Sequence, residues 1–255
     1  MKKFKTSSCL GYPLFSDSLN CLNLKTKLVV NTINQYSYCI ARGDDQFGSA
    51  LKNSDVLLPD GIGMVWALRF LKSKKIKKIA GADVHHYLLR KLEGQNGSCF
   101  YLGSSQSTLE KIKARMSKEY PSIRVATYSP PYKESFSEDD TNSMIHAVNA
   151  FMPDVLFIGL TAPKQEKWSY ENKNRLNTQI ICSIGAVFDF YAGTVERPNK
   201  KWRDLGLEWL GRLIKEPKRM WRRYMYYGMH FAYSIIQMKI AGLGQKNKRT
   251  TTAVT

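Results

Sequence analysis

The segment Asp60-Gly61-Ile62-Gly63 carries the residues of this sequence best suited to chemistry. Asp60 follows the short apolar run 55–59, which we interpret as a strand, so its carboxylate stands at a strand end. There it can act as a general base that takes a proton from a hydroxyl nucleophile. Gly61 and Gly63 allow a ligand to approach the backbone closely. The same carboxylate can instead cap a helix that begins at Gly61, and spacing alone favours that simpler interpretation.

Two further motifs follow apolar runs. Gly103-Ser104-Ser105 can bind phosphate through backbone N–H groups at the start of a helix, although a plain turn with a serine cap is the simpler interpretation. Pro163-Lys164-Gln165-Glu166 opens another helix. Proline and glutamate suit a first helical turn, whereas Lys164 and Gln165 offer donors for a phosphate or for sugar hydroxyls.

The apolar runs themselves predict the sheet that positions these residues. Continuous runs, rather than alternating ones, are typical of strands covered on both faces. Helical patterns at 61–71, 83–92, 105–120, 137–151 and 162–176 lie between them, which predicts an α/β fold: a Rossmann-like, largely parallel sheet flanked by helices. The six predicted strands are 27–31, 55–59, 98–102, 123–127, 154–159 and 179–184.

The carboxyl ends of parallel strands meet at one rim of the sheet, and ligands of such folds bind outside that rim. Thr32 and Asn34 follow the first predicted strand, and Asp189 comes soon after the last one. We therefore expect these side chains to converge with Asp60, Gly103 and the 164–166 turn.

The character of the chain changes near residue 196. We expect an α/β catalytic core over 1–195, a basic, amphipathic helical appendage rich in aromatic residues over 196–245, and a disordered tail over 246–255. Arg212, Arg219 and Arg222 share one helical face if the helix continues past Pro217. Arginine forks suit diphosphate oxygens, and a basic helix with tryptophans suits an anionic lipid surface. The plainer interpretation is a solvated basic face.

Composition limits the partners. The chain has 255 residues and a formal net charge of +18, which favours an anionic partner: nucleic acid, an anionic bilayer or a phosphorylated substrate. No apolar run reaches the roughly 20 residues of a membrane span, and no signal peptide is expected at the basic start. Five cysteines without a CxxC pair predict free thiols in a reducing cytoplasm. Four histidines without ligand spacing predict no metal site.

Short motifs in a fixed order extend over nearly the whole chain. Thr32-Ile33-Asn34, Asp60-Gly61-Ile62-Gly63 and Pro163-Lys164-Gln165-Glu166 are among them, and each alone is weak. As an ordered set they resemble the WecG/TagA/CpsF family, glycosyltransferase family 26. The motifs lie at 10–13, 32–34, 59–63, 81–83, 100–103, 120–121, 153–168, 185–193, 197–198, 206–209, 212–213 and 216–224.

The resemblance implies an inverting transferase that passes a sugar from a UDP-sugar to a polyprenyl-diphosphate-linked saccharide of a cell-surface polysaccharide. Asp60 would be the general base, and Thr32, Asn34 and Gln165 would line the sugar and nucleotide pocket. The appendage would engage the diphosphate at the inner face of the cell membrane, with the protein otherwise cytoplasmic. Neither a metal nor another cofactor is implied. The appendage arginines in question are Arg212, Arg219 and Arg222.

Departures and alternatives remain. Thr161 stands where glycine is common in the family, and Asn199-Lys200 follows Arg197-Pro198, so the donor stays open among N-acetylmannosamine, its uronic acid, glucose, glucuronic acid and galactose. A basic nucleotide- or nucleic-acid-binding protein without transferase activity would also explain the charge, but it predicts a more evenly distributed basic surface. A nicotinamide-dependent oxidoreductase lacks its glycine fingerprint here. Homo-oligomers remain possible.

Overall fold

The computed structural model describes residues 4–196, 198, 202 and 206–251. Eight strands of this part of the chain form one sheet in the order β1-β2-β4-β3-β8-β7-β5-β6. The sheet is mixed only at the edge where β1 and β2 pair antiparallel; every other pairing is parallel. The strands are β1 (Thr6–Cys9), β2 (Tyr12–Phe15), β3 (Leu28–Ile33), β4 (Val56–Pro59), β5 (Ser98–Gly103), β6 (Arg124–Tyr128), β7 (Val155–Gly159) and β8 (Ile180–Ser183).

All six predicted strands are confirmed, as β3 to β8, and the predicted α/β fold with them. The hairpin of β1 and β2 was missed because its strands have four residues each and mix polar residues and Pro13 with apolar ones. Pro13 is tolerated there because β2 lies near the sheet edge. Through the pairing of Leu14 with Leu57 the hairpin extends the sheet beyond β4.

Helices follow the strands as the predicted crossovers require. Three were missed: α1 and α2, which carry the chain from β3 to β4, and the short α8 after β8. Asn34 and Asp44 cap α1 and α2 through their side chains, so polar caps rather than a long apolar period define these helices. The helices of this part are α1 (Gln35–Ala41), α2 (Asp45–Lys52), α3 (Ile62–Lys72), α4 (Gly81–Glu93), α5 (Gln106–Glu119), α6 (Glu138–Phe151), α7 (Lys164–Asn172) and α8 (Val187–Ala192).

Alternate residues of the buried strands face opposite layers. In β7, Val155 and Phe157 pack with α4, α5 and α8, whereas Leu156 and Ile158 pack with α6 and α7. A second cluster on the β2–β4 side packs residues of α1, α2 and α3 against Leu14. The strands therefore read as continuous apolar runs because each face is covered by helices.

The C-terminal segment forms α9 (Glu208–Lys215), α10 (Pro217–Trp221), a π-helical segment (Arg222–Tyr226) and α11 (Tyr227–Thr251). The expectation that one helix continues past Pro217 is wrong. The backbone breaks at Glu216 (φ −136°, ψ 63°), and Pro217, which has no N–H to donate, begins the next helix. Arg212 and Arg222 therefore belong to different helices.

Helix α11 packs on the core. Phe231 is buried against Tyr38, and Arg42 Nη1 donates a hydrogen bond of 2.8 Å to Ser234 Oγ. Residues 246–251, which we expected to fray, continue this helix, and 252–255 lie outside the described residues. Within the described part of the chain, no helix is both long and apolar enough to cross a membrane.

Candidate active site

Asp60 stands at the carboxyl end of β4, one residue beyond the strand. Its backbone N–H donates a 2.9 Å hydrogen bond to the carbonyl of Ile33, which ties the ends of β3 and β4 together. The N-cap of α3 is Gly61, at φ +98°, a backbone conformation that disfavours any residue with a Cβ. The interpretation of Asp60 as a helix cap is therefore wrong, and its carboxylate faces the rim of the sheet.

The carboxylate of Asp60 lies among cations. Burial raises the pKa of Asp60 above its ordinary value; the positive charges of Arg212, Lys78 and Arg223 act in the opposite direction, and Glu208 reinforces the rise. A carboxylate of raised pKa is a stronger base than an exposed one. The surrounding cations can hold an anionic substrate group beside it. The site thus joins a proton acceptor to an anion-binding cluster.

Glu208 holds two of these cations in place. Its Oε1 accepts a 2.8 Å hydrogen bond from Arg212 Nη2, and its Oε2 lies 3.7 Å from Lys78 Nζ. Arg212 also stacks over the ring of Phe190, with 4.6 Å between the guanidinium carbon and the ring centroid. The guanidinium is therefore held by one hydrogen bond and one ring. Arg212 lies beside Asp60, and its assignment to substrate binding remains a prediction; Lys78 and Glu208 were not predicted.

Arg223, and not the predicted Arg222, lies near Asp60. The Arg223 guanidinium lies 4.7 Å from the ring centroid of Tyr36, and its charge lowers the pKa of both Asp60 and Glu166. Arg222 is exposed, and the side chain of Arg219 lies outside the description. The π-helical segment decides which of the two adjacent arginines faces inward, and residue spacing carries no signal of it.

Gln165 and Glu166 are both buried at the start of α7. Gln165 Nε2 donates a 2.8 Å hydrogen bond to Glu166 Oε1. Burial raises the pKa of Glu166 to about 7, against the lowering effects of Gln165 and Arg223. Gln165 Oε1 and Glu166 Oε2 accept no hydrogen bond from the described residues. Two buried acceptors without donors are costly, and hydroxyl groups of a bound sugar would satisfy them.

Thr32 lies on β3, the strand next to β4, and Asn34 directly follows the end of β3, where the Ile33 carbonyl accepts from Asp60 N. Thr32 is partly buried in β3 and pairs in register with Leu58 of β4. Asn34 Oδ1 accepts hydrogen bonds from Ser37 N and Oγ, both 3.0 Å, so the side-chain oxygen caps α1. The amide nitrogen of Asn34 takes no part in that cap, and the assignment of Asn34 to substrate binding remains a prediction.

The two glycines that follow Asp60 let α1 and α3 approach each other. A Cβ at Gly61 would lie 3.3 Å from Gln35 Oε1, and one at Gly63 would lie 3.4 Å from the same oxygen and 3.5 Å from Phe231. Close helix packing thus accounts for Gly63, and the positive φ accounts for Gly61. Their assignment to substrate binding remains a prediction.

Three other residues were predicted to bind substrate and have contacts within the fold: Gly103, Lys164 and Asp189. Gly103 has φ +112°, and a Cβ there would lie 2.8 Å from the Gly159 carbonyl carbon, so packing of β5 on β7 requires this glycine. Lys164 donates to the carbonyl of Lys133 and its ammonium lies 4.9 Å from the Phe136 ring, so it engages the loop after β6 rather than Asp60.

Asp189 lies in the first turn of α8, where its carbonyl accepts from Thr194 N at 3.0 Å. Ser105 Oγ accepts from Thr108 N at 3.2 Å, which confirms the serine-cap interpretation of the 103–105 motif. A phosphate at that helix start and a substrate contact of Asp189 stay predictions.

In the described residues His85 has a role in packing, and the cysteines are free thiols. No cluster of three or more histidine, cysteine or acidic side chains there could hold a metal ion. His85 Nε2 lies 2.8 Å from the Tyr101 hydroxyl, and burial lowers the pKa of His85 to about 3, so this ring is neutral. No disulfide joins the five cysteines, in agreement with the predicted thiols.

A Rossmann-like sheet with a carboxylate at its carboxyl rim, beside two arginines of the C-terminal segment, is an arrangement typical of α/β enzymes. Residues 11–244 match the model of the glycosyl transferase WecG/TagA/CpsF family. The chain therefore belongs to this family and is a glycosyltransferase.

Several relatives carry one name, N-acetylglucosaminyldiphosphoundecaprenol N-acetyl-beta-D-mannosaminyltransferase. The protein of Bacillus subtilis (strain 168) is 29% identical over 229 residues, which is 90% of this chain and 84% of the relative. The protein of Bacillus spizizenii (strain ATCC 23059 / NRRL B-14472 / W23) is 28% identical over 185 residues, which is 72% of this chain and 70% of the relative. The protein of Staphylococcus aureus (strain MW2) is 24% identical over 172 residues, which is 68% of this chain and 66% of the relative.

Proposed function

We propose that this chain transfers an N-acetylmannosaminyl group from its UDP-sugar to an N-acetylglucosaminyl-diphospho-polyprenol during synthesis of a cell-surface polysaccharide. The observation that carries the proposal is the placement of Asp60 among Arg212, Lys78 and Arg223. The donor and the lipid-linked acceptor both contain a diphosphate, and the acceptor supplies the hydroxyl that a base must activate. The names of the relatives support this pair of substrates.

In the proposed reaction Asp60 accepts the proton of the acceptor hydroxyl. The hydroxyl oxygen forms a bond to the anomeric carbon of the donor sugar on the face opposite the nucleotide. The bond between that carbon and the diphosphate oxygen breaks, and UDP leaves with the electron pair. A single displacement inverts the anomeric centre and leaves Asp60 protonated until solvent removes the proton.

The leaving diphosphate gains negative charge as its bond breaks, so the site must stabilise that charge. Arg212, Lys78 and Arg223 supply positive charge beside Asp60, and each of the three is held by Glu208 or by a ring. Preorganised cations of this kind perform the electrostatic task without reorganising during the reaction. We propose that these side chains serve the diphosphate in place of a metal ion.

The sugar pocket in this proposal lies between β3, β4 and the start of α7. Thr32 and Asn34 face it from one side, and Gln165 and Glu166 offer buried acceptors from the other. A donor with an acetamido group and ring hydroxyls can satisfy those acceptors. Thr161, exposed in the loop before α7, adds a side chain where relatives of this family commonly have glycine, so the donor is best determined with a panel.

The acceptor's lipid implies work at a membrane, and we propose that the chain binds the inner face of the cell membrane peripherally. Its net charge of +18 favours anionic lipid headgroups. The C-terminal segment exposes large apolar side chains, among them Trp221, Met225 and Met229. Interfacial helices combine cationic and apolar residues in this way.

The test is UDP release with N-acetylglucosaminyl-diphospho-undecaprenol as acceptor and a panel of UDP-sugars as donors. We expect UDP-N-acetylmannosamine to react, and Asp60→Asn to lower kcat roughly 10²- to 10⁴-fold while donor binding and thermal melting stay unchanged. If only a glucosyl, galactosyl or uronic acid donor reacts, that sugar replaces N-acetylmannosamine in the proposal. Undiminished turnover by Asp60→Asn would remove the base assignment.

A further inference from the structure

An open apolar groove lies between α3 and α11. Its volume is about 660 Å³, within the range of sites that bind organic ligands. It is lined from α3 by Trp66, Ala67, Phe70 and one charged residue, Arg69, and from α11 by Ala232, Ile235 and Ile236. We refer to it as the α3–α11 groove.

The walls of the groove are exposed although they are strongly apolar. Trp66 is 66% exposed, Phe70 51% and Ile236 52%. Single exposed apolar residues are ordinary, but a contiguous group that shapes a concave surface marks a binding site. The other face of the same turns, by contrast, places Leu68 and Phe231 in the core. The helices thus have one face for the protein and one for a ligand.

The groove is held open by contacts at its ends rather than by its own walls. Lys239 Nζ donates a 2.8 Å hydrogen bond to the Phe70 carbonyl and lies 5.1 Å from the Phe70 ring centroid. Arg42 anchors α11 through Ser234, and Phe231 fixes it in the core. Because these ties determine the position of α11, the gap between the helices is a fixed feature of the fold.

The groove and the candidate active site adjoin the same helix, α3. This helix starts at Ile62, directly after Asp60 and Gly61, and Trp66 and Phe70 follow at a spacing of four residues on one face. At about 1.5 Å of rise per residue, the groove begins about 6 Å along the helix from the catalytic end. A molecule that has an anionic head beside Asp60 and an apolar chain would pass from one to the other.

We propose that the α3–α11 groove binds the first isoprene units of the acceptor's polyprenyl chain. The inference rests on the proposed function for the identity of the acceptor. Its diphosphate would lie against Arg212 and Lys78, and its chain would leave along the exposed side of α3. The groove, rather than the bilayer alone, would then contribute to affinity for the lipid-linked substrate.

The first test is binding of two soluble probes, farnesyl diphosphate and the shorter dimethylallyl diphosphate, measured by calorimetry without detergent or vesicles. The wild type should bind farnesyl diphosphate at least about tenfold more tightly, since each additional buried methylene adds to the affinity. Ala232→Trp, which fills the groove without making it polar, should abolish this preference and leave dimethylallyl diphosphate binding unchanged. Equal binding of both probes by the wild type, or an unchanged preference in Ala232→Trp, would overturn the proposal.

Two controls separate the groove from other uses of the same surface. Met152→Ser removes an exposed apolar side chain at the far end of α6 and should leave the preference intact. Binding of Ala232→Trp to vesicles of anionic phospholipid and its sedimentation should equal those of the wild type. Loss of vesicle binding, or a change in oligomeric state, would identify the face as a membrane contact or a contact between copies, and would overturn the chain site.

The binding measurement needs no transfer reaction, so it fails separately from the proposed function. If no UDP-sugar reacts but the chain-length preference is present and Ala232→Trp removes it, the groove stands and the transferase proposal falls. If transfer is observed and the chain-length preference is absent, the transferase proposal stands and the groove proposal falls.

Discussion

At the scale of single residues, the buried carboxyl of Glu166 makes stability depend on pH. Burial raises its pKa in the folded state to about 7, whereas the unfolded chain has the ordinary value near 4.5. The folded state therefore binds the proton more tightly than the unfolded state. Well below pH 4.5 the carboxyl is protonated in both states and has no effect on the pH dependence. As pH rises from 4.5 to about 7 the folded state loses stability, and above pH 7, where both states are ionised, the loss is complete.

Glu166→Gln removes this dependence. We expect the variant to exceed the wild type in free energy of unfolding by up to roughly 3 kcal/mol at pH 8, and to match it near pH 4.5. Denaturant titrations at the two pH values measure the difference. Glu138→Gln, at an exposed site on α6, is the control and should follow the wild type at both. A difference between Glu166→Gln and wild type that is the same at both pH values would show that Glu166 has the same pKa in the folded and unfolded states.

Gly103 offers a second prediction at this scale. A Cβ at this position would lie 2.8 Å from backbone of Gly159, and φ is +112°, so Gly103→Ala should lower the free energy of unfolding by roughly 1–3 kcal/mol. Gly43→Ala, where the nearest atom is 3.9 Å away, should have a much smaller effect. Chemical denaturation of the two variants gives the comparison. Equal stability of Gly103→Ala and wild type would return this glycine to a role in phosphate binding alone.

At the scale of elements, the π-helical segment between α10 and α11 determines which arginine enters the site. Arg223 acts on Asp60 and Glu166, whereas Arg222 next to it is exposed. Arg223→Gln should therefore lower kcat/KM about a hundredfold, the effect of removing one preorganised charge. Arg222→Gln, the matched control, should stay within about threefold on a water-soluble acceptor. Comparable losses in both variants would show that the segment rotates in the working enzyme.

The elements that could be predicted from sequence are those whose signal is local. The strands β3 to β8 are continuous apolar runs, and the resemblance raised Asp60 above its interpretation as a cap. Glu208 and Arg223 were missed because they reach Asp60 only when the C-terminal segment folds onto the sheet. Lys78 was missed because it lies in the loop between α3 and α4, which the Ile79 N–H ties to the Pro59 carbonyl at the end of β4. The cap residues Asn34 and Asp44 were the only local indication of α1 and α2, and these helices were missed because no periodic pattern of apolar residues followed the caps.

At the scale of the whole molecule, the net charge of +18 should govern attachment to lipid. Each lysine or arginine near an anionic surface contributes about 1 kcal/mol, and this attraction is screened as the Debye length falls from about 10 Å at 0.1 M salt to about 3 Å at 1 M. Flotation with vesicles rich in phosphatidylglycerol should therefore show binding that declines steeply over this range. Vesicles of phosphatidylcholine are the control. Binding that is equal on both lipids would assign attachment to apolar insertion instead.

The packing of α11 on α1 has a consequence for how the chain is made. Phe231 completes a cluster whose other buried members lie between residues 9 and 68. The hydrogen bond from Arg42 to Ser234 likewise forms only after Ser234 has been synthesised. A ribosome therefore delivers the sheet long before the segment that supplies Arg212 and Arg223. Until synthesis has passed these positions, the nascent protein has its base but lacks the charges that receive the leaving nucleotide. Fragments that end at a premature stop codon before these positions would thus not consume the nucleotide-sugar donor.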